Sequence, residues 1–436
     1  MEKLAAWVWG PQTMGLMLGV GLLMTIRSGG IQFRRWKETA AVLRKPAGNA
    51  GVSPFQAVCT ALAGSVGTGN IAGVAGAVAL GGPGAVFWMW VSALLGMATK
   101  YAEVVLALRY RQKNEQGQWQ GGPMYYITHG MGRRWRWMAG VFALFAVGGS
   151  LAMGNVAQVH TIAGSIQTAM TQWMPQWSGR TATIMTGVAA AVFVTIITVG
   201  GVERIGSVMG KLMPFLSAVY LLGGLAVLLV HAERIPSAFT QILQGAFSLR
   251  GAAGGAAGLG IRQAMRWGIS RGVFSNEAGL GSAPMAHAAA KAVPEEQGLM
   301  GIFEVFFDTI VLCTLTALAI LVSGVPIAYG EAAGAELATA ALETVFGKSA
   351  GIMQAVVLAF LALGSMVSWN YYGSCCAAYL WGRPGQTVYQ LVYPVVTLVG
   401  ATMGLSAVWT VSDLCNGLMA LPNLLALIAL RKQIKP

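Results

Sequence analysis

The sequence predicts an all-α integral membrane protein with about eleven transmembrane helices, two of which are broken near their middle. Of the 436 residues, 56% are hydrophobic and only 10% are charged, whereas soluble domains carry about 25% charged residues. Apolar runs of about 20 residues, long enough to cross a bilayer, recur along the whole chain. Two of these runs contain glycine, proline and polar residues where a simple anchor would have aliphatic ones. A soluble enzyme of this size is therefore excluded.

The apolar runs define the expected spans, and no soluble domain interrupts them, so we expect one transmembrane domain over 1–436. The stretch GEAAGAELATAALETVFGKS is alanine-rich and acidic, and its helical spacing predicts a short helix on the outer face. The segment 231–260, which ends in RGAAGGAAGLG, is expected to be an external loop. The spans are 12–27, 54–80, 84–109, 137–168, 181–200, 211–231, 261–290, 300–323, 350–381, 388–409 and 411–430.

The formal net charge of +13 indicates orientation in the membrane and not a nucleic-acid partner. Six basic residues lie in Arg27–Lys45 and six in Arg109–Arg136, two loops on the same side of the predicted topology. Lys100 is expected at a helix end on that side. The positive-inside rule makes the basic side cytoplasmic. The chain is therefore expected to have its N-terminus outside and its C-terminus in the cytoplasm.

The two broken spans occupy related positions. The first contains GSVGTGNIAGVAG (64–76) and the second contains RGVFSNEAGLGSAPMAH (271–287). If the extra span 12–27 is set aside, the rest divides into 54–231 and 261–430, two sets of five that each begin with a broken helix and start on opposite sides. This pattern predicts an inverted repeat. Glycine- or proline-interrupted segments at corresponding positions indicate the binding site of a secondary transporter.

Breaking a helix in hydrocarbon frees backbone groups that must bind something, because an unpaired one costs several kcal/mol. A half-helix N-terminus suits a carboxylate, and freed carbonyls and hydroxyls suit Na⁺. Close packing is the alternative for the first break, since Gly69 and Gly73 have small-xxx-small spacing. The second break at the matching position favours a binding site over close packing, and the available groups suit an amino acid bound together with a sodium ion.

Longer stretches around both breaks resemble the signatures of the alanine/glycine:cation symporters, also called the sodium:alanine symporter family. These stretches are GSVGTGNIAGVAGAVALGGPGAVFWMW and RGVFSNEAGLGSAPMAHAAA, and further matches are QGGPMYYI (120–127), GNVAQ (154–158), FFDTIVLCTLTALAIL (306–321) and WNYYG (369–373). The resemblance covers most of the chain and implies the amino-acid/polyamine/organocation superfamily fold, a LeuT-like 5+5 inverted repeat with one extra N-terminal helix. It also implies a multi-pass protein of the bacterial inner membrane, a monomer or weak oligomer, that imports alanine or glycine with Na⁺.

The resemblance also implies which residues bind the substrate. The first break would face the substrate carboxylate, and the second would face its side chain and ammonium group. Residues of the fourth and ninth spans would close the pocket, and the bulk of Trp369 and Phe274 would favour a small side chain. The implied residues are Thr68, Gly69, Asn70, Gln158, Phe274, Ser275, Asn276 and Trp369.

The sodium site implied by the resemblance lies between the first break and the ninth span. Where the family reads TTILGWSYYGE, this chain reads GSMVSWNYYGS. Gly364 thus replaces a threonine, and Ser365 supplies the remaining hydroxyl. The implied ligands come from Ala63, Val66, Leu361, Gly364 and Ser365.

Three charged residues within the spans are candidates for coupling or gating: Glu277, Asp308 and Arg271. An acid inside the membrane is a functional candidate by default. Asp308 is either a coupling carboxylate or part of an interhelical hydrogen-bond network, and Arg271 suggests an outer gate. Proton coupling through Glu277 and altered specificity, for example for glutamine or serine, are the alternative functions. A channel is disfavoured by the lack of pore loops and charged rings, and an enzyme by the lack of an H-E-x-x-H motif.

Overall fold

The structure is a computed structural model that describes residues 7–44, 51–115, 117–173, 179–247, 260–403 and 405–434. These residues are almost entirely helical, as the composition predicts, and the two short strands Gln112–Lys113 and Trp119–Gln120 form an antiparallel pair. Short π-helical segments interrupt three helical runs at Gly69–Gly73, Ala152–Val156 and Phe306–Cys313. The helices are α1 (Pro11–Arg27), α2 (Ile31–Arg34), α3 (Trp36–Leu43), α4 (Pro54–Ser65), α5 (Val74–Gly81), α6 (Gly84–Arg109), α7 (Pro123–Gly130), α8 (Arg136–Leu151), α9 (Ala157–Trp173), α10 (Arg180–Thr198), α11 (Gly201–Val230), α12 (Ile235–Phe247), α13 (Ile261–Asn276), α14 (Pro284–Ala288), α15 (Pro294–Val305), α16 (Thr314–Ser323), α17 (Ala335–Phe346), α18 (Ser349–Gly400) and α19 (Leu405–Leu430).

Many of these helices are long and apolar enough to cross a membrane. Within the described ranges, seven helical runs meet this condition, and α4 together with Gly69–Gly81 forms a bent eighth. The run α18 holds two expected spans, because Gly382 leaves the helical conformation (φ 68°, ψ −162°). The two halves of α18 then lie side by side, and the Tyr393 hydroxyl donates to the Met366 carbonyl at 2.9 Å. The expected spans 350–381 and 388–409 are thus two arms of one hairpin.

The outer surface of the bundle is apolar. Val199 is 78% exposed, Leu229 is 76% exposed and Phe215 is 65% exposed. Contiguous apolar surface of this kind is not stable in water and is suited to lipid. Inside the bundle, glycines allow helices to approach closely: a Cβ atom on Gly84 of α6 would lie 2.4 Å from the Gly245 carbonyl oxygen of α12.

The segment 231–260 is only partly as expected. Residues 235–247 form α12, which packs against α6 through a hydrogen bond from Trp88 Nε1 to the Ala246 carbonyl at 3.2 Å. The loop prediction was wrong here because the apolar residues Ala238, Ile242 and Ala246 recur at four-residue spacing, and all three are buried. Residues 248–259 of the expected loop lie outside the described residues. The short helix expected after the eighth span is present as α17.

Lys100 does not lie at a helix end. It is completely buried within α6, which continues for nine further residues to Arg109. Its charge therefore belongs to the interior of the protein and contributes nothing to the charge asymmetry of the loops.

Candidate functional site

The first break interrupts the hydrogen-bond ladder immediately after α4. Val66 has an extended backbone (φ −75°, ψ 112°), and the helix axes before and after the break differ by 53°. In a continuous helix the Gly67 N–H would bond to the Ala63 carbonyl, but here it donates to Asn70 Oδ1 at 2.9 Å. The Ala63 carbonyl is thereby released and accepts a hydrogen bond from Ser365 Oγ at 2.9 Å.

Oxygen atoms from α4 and α18 converge next to Gly67. A Cβ atom on Gly67 would lie 3.0 Å from Ser365 Oγ and 3.9 Å from the Leu361 carbonyl oxygen. Ser365 Oγ also approaches the Gly64 carbonyl at 3.4 Å. The structure therefore brings together three of the residues expected to bind the cation, Ala63, Leu361 and Ser365.

Gly364 lies beside this cluster without contributing a side-chain oxygen. Its missing Cβ would face the Ala63 Cβ at 3.5 Å and the sulfur atoms of Met213 and Met209 at 3.6 and 3.8 Å. This side of the expected cation site is consequently lined by methyl and thioether groups.

The second break separates α13 from α14. Three residues in this turn have left-handed backbones, Glu277 (φ 55°), Gly279 (φ 92°) and Gly281 (φ 82°). The two breaks are in contact, because a Cβ atom on Gly69 would lie 3.2 Å from the Ser275 Cα. Only a glycine at position 69 allows this approach without displacing the backbone of the second break.

Asp308 joins the two breaks by hydrogen bonds. Its Oδ1 accepts from Asn70 Nδ2 at 2.7 Å, and its Oδ2 accepts from Ser275 Oγ and Thr309 Oγ1, both at 2.8 Å. Asn276 extends the network by donating to Thr309 Oγ1 at 3.0 Å. The interhelical network, one of the two interpretations of Asp308, is present, and a coupling role for the same carboxylate stays a prediction. The side chains of Asn70, Ser275 and Asn276 brace the breaks against each other.

Gln158 reaches the first break from α9. Its Nε2 is 3.3 Å from the Met153 carbonyl and 3.5 Å from Thr68 Oγ1. Gln158 Oε1 is buried and has no hydrogen-bond partner in the described part of the chain. A buried unpaired acceptor costs about 1–3 kcal/mol, so a donor from a bound molecule would be stabilising at this position.

Trp369 is fully buried beside both breaks. Its Nε1 donates to Glu277 Oε1 at 3.0 Å. Its ring meets Tyr372 edge to face with centroids 5.6 Å apart. The pairing of Trp369 with Glu277 connects α18 to the second break.

Phe274 and Arg271 lie on α13, the half of the second broken helix that precedes the break. The Phe274 ring is 6.0 Å from the Trp409 ring, and the Arg271 guanidinium is 5.7 Å from the Phe274 ring. Asp413 on α19 is the carboxylate that acts electrostatically on Arg271. The sequence predicts a gating role for Arg271 but could not identify this partner.

A cluster of buried charges behind the second break was missed by the sequence reasoning. Lys100 Nζ lies 3.0 Å from Glu304 Oε1, and His287 Nε2 lies 2.9 Å from Glu304 Oε2. Glu103 Oε1 accepts from the Gly279 N–H at 3.1 Å and from the amide of Asn423. The signal was present, since Lys100 and Glu103 stand three residues apart in an apolar helix and so share one face.

Comparisons with known proteins identify the family and the fold of the chain. The family model described as the sodium:alanine symporter family matches residues 1–435. The chain is 39% identical to the sodium/alanine symporter AgcS of Methanococcus maripaludis, over 98% of this chain and 93% of that protein. It is 35% identical to the probable sodium/glutamine symporter GlnT of Bacillus subtilis, over 98% and 87% of the two chains. The crystal structure of MhsT in complex with L-phenylalanine is similar in fold, with a TM-score of 0.58 and 14% identity over 87% of this chain and 90% of that one.

Proposed function

The chain belongs to the sodium:alanine symporter family, and we propose that it imports alanine or glycine together with Na⁺ by alternating access. Membership in this family makes it a membrane transporter and not an enzyme. The observation that carries the proposal is the contact between the two broken helices at Gly69 and Ser275, next to the oxygen cluster at Ser365. Paired breaks of this kind form the substrate and ion sites of secondary transporters.

The proposed substrate site uses the backbone of the first break and the side chain of Gln158. The half-helix that begins at Thr68 and Gly69 directs N–H groups and a partial positive charge toward a carboxylate. Gln158 Oε1, which is unpaired and buried, would accept a hydrogen bond from the substrate ammonium group. Trp369 and Phe274 add bulk that favours a side chain as small as that of alanine.

The proposed site for the transported Na⁺ lies between α4 and α18. Carbonyl and hydroxyl oxygens are hard ligands, and the oxygens of Ala63, Leu361 and Ser365 already converge beside Gly67. Val66, whose extended backbone ends the ladder of α4, would add a carbonyl. The glycine at position 364 leaves Ser365 as the hydroxyl ligand.

The proposed topology is the five-plus-five inverted repeat, with 54–231 and 261–430 as its halves, preceded by one extra helix. The fold similarity to MhsT supports this arrangement. Eleven spans result if α1, the broken helix α13–α14 and each arm of α18 cross the membrane. The basic loops then place the N-terminus outside and the C-terminus in the cytoplasm.

Two other transport functions compete with this proposal. The relative named as a probable sodium/glutamine symporter favours a larger substrate as the first alternative. Buried acids at Asp308 and Glu277 favour proton coupling as the second. A facilitator is the weakest candidate, since nothing in a facilitator would require an oxygen cluster beside the substrate site.

Uptake into proteoliposomes tests the proposal. The purified full-length chain should accumulate labelled alanine under an inward Na⁺ gradient, and glycine should compete. Uptake that is unchanged when K⁺ replaces Na⁺ at constant pH would refute sodium coupling. Uptake that follows an inward proton gradient instead would establish the proton-coupled alternative. Counterflow of trapped alanine separates a carrier from a channel.

A further inference from the structure

Glu277 occupies a backbone conformation that is unfavourable for its residue type. Its φ of 55° makes it the one non-glycine residue with positive φ in the described ranges. The same turn contains Gly279 and Gly281, which adopt positive φ without a steric cost. A glutamate is retained where glycine would be the less strained choice, so its side chain must supply an interaction that offsets the strain.

The Glu277 side chain uses both of its oxygens. Oε1 accepts from Trp369 Nε1 at 3.0 Å, and Oε2 accepts from Ser282 Oγ. All three residues are fully buried. Breaking the bond to Trp369 would leave a buried donor and a buried acceptor unpaired, so this contact holds the indole in one orientation.

The stem of the Trp369 side chain and its six-membered ring are held by close packing. A Cβ atom on Gly154 would lie 2.5 Å from Trp369 Cγ, and one on Gly149 would lie 3.7 Å from Cζ3. The bare backbone of these glycines forms the slot in which the indole lies. The Trp369 side chain is therefore held at its stem by the glycine slot and at Nε1 by Glu277.

The position of Trp369 relates this restraint to the substrate. Trp369 stands four residues after Ser365 and so lies on the same face of α18, the face turned toward the first break. The Gly154 slot belongs to the same π-helical segment as Met153, whose carbonyl holds Gln158. The indole thus lies on the face of α18 that includes Ser365, bonded to Glu277 of the second break and packed against the π-helical segment whose Met153 carbonyl holds Gln158.

We propose that Glu277 is a positioning residue that fixes the Trp369 indole as the wall limiting the size of the substrate. This inference rests on the proposed amino-acid site and assigns its size selectivity to one hydrogen bond. Glu277 acts through Trp369 and exchanges no proton during transport. A neutral side chain that keeps the acceptor oxygen is therefore sufficient at this position.

Three variants of the full-length protein separate this role from its alternatives. Glu277→Gln keeps an acceptor for Trp369 Nε1 but removes the charge. Glu277→Gly removes the side chain, and glycine adopts the positive φ of this position without strain. A change in transport by this variant therefore reports the loss of the side chain and not a distortion of the turn. Trp369→Phe removes the donor and keeps an aromatic ring.

The measured quantity is kcat/KM for alanine relative to that for glutamine, in proteoliposomes with an inward Na⁺ gradient. We expect Glu277→Gly and Trp369→Phe each to lower this ratio about 10-fold or more, mainly through a higher KM for alanine, as loss of a buried hydrogen bond implies. The double variant should lower it no further, because both changes remove the same interaction. Glu277→Gln should retain the wild-type ratio and the wild-type pH profile.

Two results would overturn the inference while leaving the proposed function intact. One is a wild-type ratio in Glu277→Gly, and the other is a Glu277→Gln variant as impaired as Glu277→Gly. If the wild-type protein itself fails to accumulate alanine, the proposed function fails instead. The positioning role is then tested by whether alanine and glutamine protect each variant against thermal unfolding in detergent.

Discussion

Replacement of Lys100 by methionine should strongly destabilise the protein. Lys100 and Glu304 are fully buried and their charged atoms are 3.0 Å apart. Two unit charges at this distance attract each other by about 5 kcal/mol at an effective dielectric constant of about 20. Removal of one partner leaves Glu304 buried with His287 as its remaining neighbour, and such a loss typically costs about 3–5 kcal/mol. Methionine preserves the unbranched stem, so the loss comes from the charge and not from a cavity.

Thermal unfolding in detergent measures this effect. We expect Lys100→Met to lower the apparent melting temperature by about 5 °C or more. The double variant Lys100→Met/Glu304→Gln is the matched control, and it should regain part of that loss because the carboxylate that had paired directly with Lys100 is removed as well. A Lys100→Met protein that melts with the wild type would refute the reasoning. So would a double variant less stable than Lys100→Met alone, since that would mean the charges do not compensate each other.

Three further predictions concern the first break. Gly67→Ala should raise the Na⁺ concentration for half-maximal alanine uptake about 10-fold or more, because the new methyl group would lie 3.0 Å from Ser365 Oγ. Gly73→Ala is the matched control. Its Cβ would meet nothing closer than 3.9 Å, so this variant should behave as wild type. Ser365→Ala should raise the same Na⁺ concentration by removing a hydroxyl ligand, and an unchanged value would locate the cation elsewhere. Gly69→Leu should abolish alanine binding, because the leucine side chain would fill the proposed carboxylate site. Protection against thermal unfolding by alanine measures this binding, and retained protection would contradict the assignment of the carboxylate site.

The positions of both breaks could be predicted from the sequence because the responsible residues are adjacent in the chain. Glycines at 67 and 69 and the polar residues around them interrupt an apolar run, and this signal is local. The same is true of Glu277, an acid within an apolar span. No local pattern in the sequence indicates which residues these residues bond to. Asn70 and Asp308 are 238 positions apart, and Trp369 and Glu277 are 92 apart.

The two errors have separate physical causes. The sequence predicts a loop over the segment containing α12 because its glycine-rich end outweighs the helical spacing of Ala238, Ile242 and Ala246. The sequence predicts Lys100 at a helix end because lysine is almost never fully buried unless it is paired. Its partner Glu304 lies 204 positions away in another span. Buried charge pairs between helices are therefore the feature that a single sequence conceals most completely.

The geometry of the first break gives a physical basis for coupling an ion to a substrate. Coupling requires an interaction free energy between two sites. The Ala63 carbonyl is free to meet Ser365 because the Gly67 N–H bonds to Asn70. Asn70 in turn bonds to Asp308, which holds the second break through Ser275.

One short turn therefore has the proposed cation site on one side and the proposed substrate site on the other. A cation bound to the Ala63 carbonyl would displace Ser365 Oγ from its present acceptor and fix the bend of this turn. The bend in turn sets the direction of the N–H groups that begin the half-helix at Gly69. Because so few residues separate Ala63 from Gly69, neither side is able to move independently of the other. In the proposed symport the link between ion and substrate is thus the backbone of the first break, and no titrating carboxylate is needed for it.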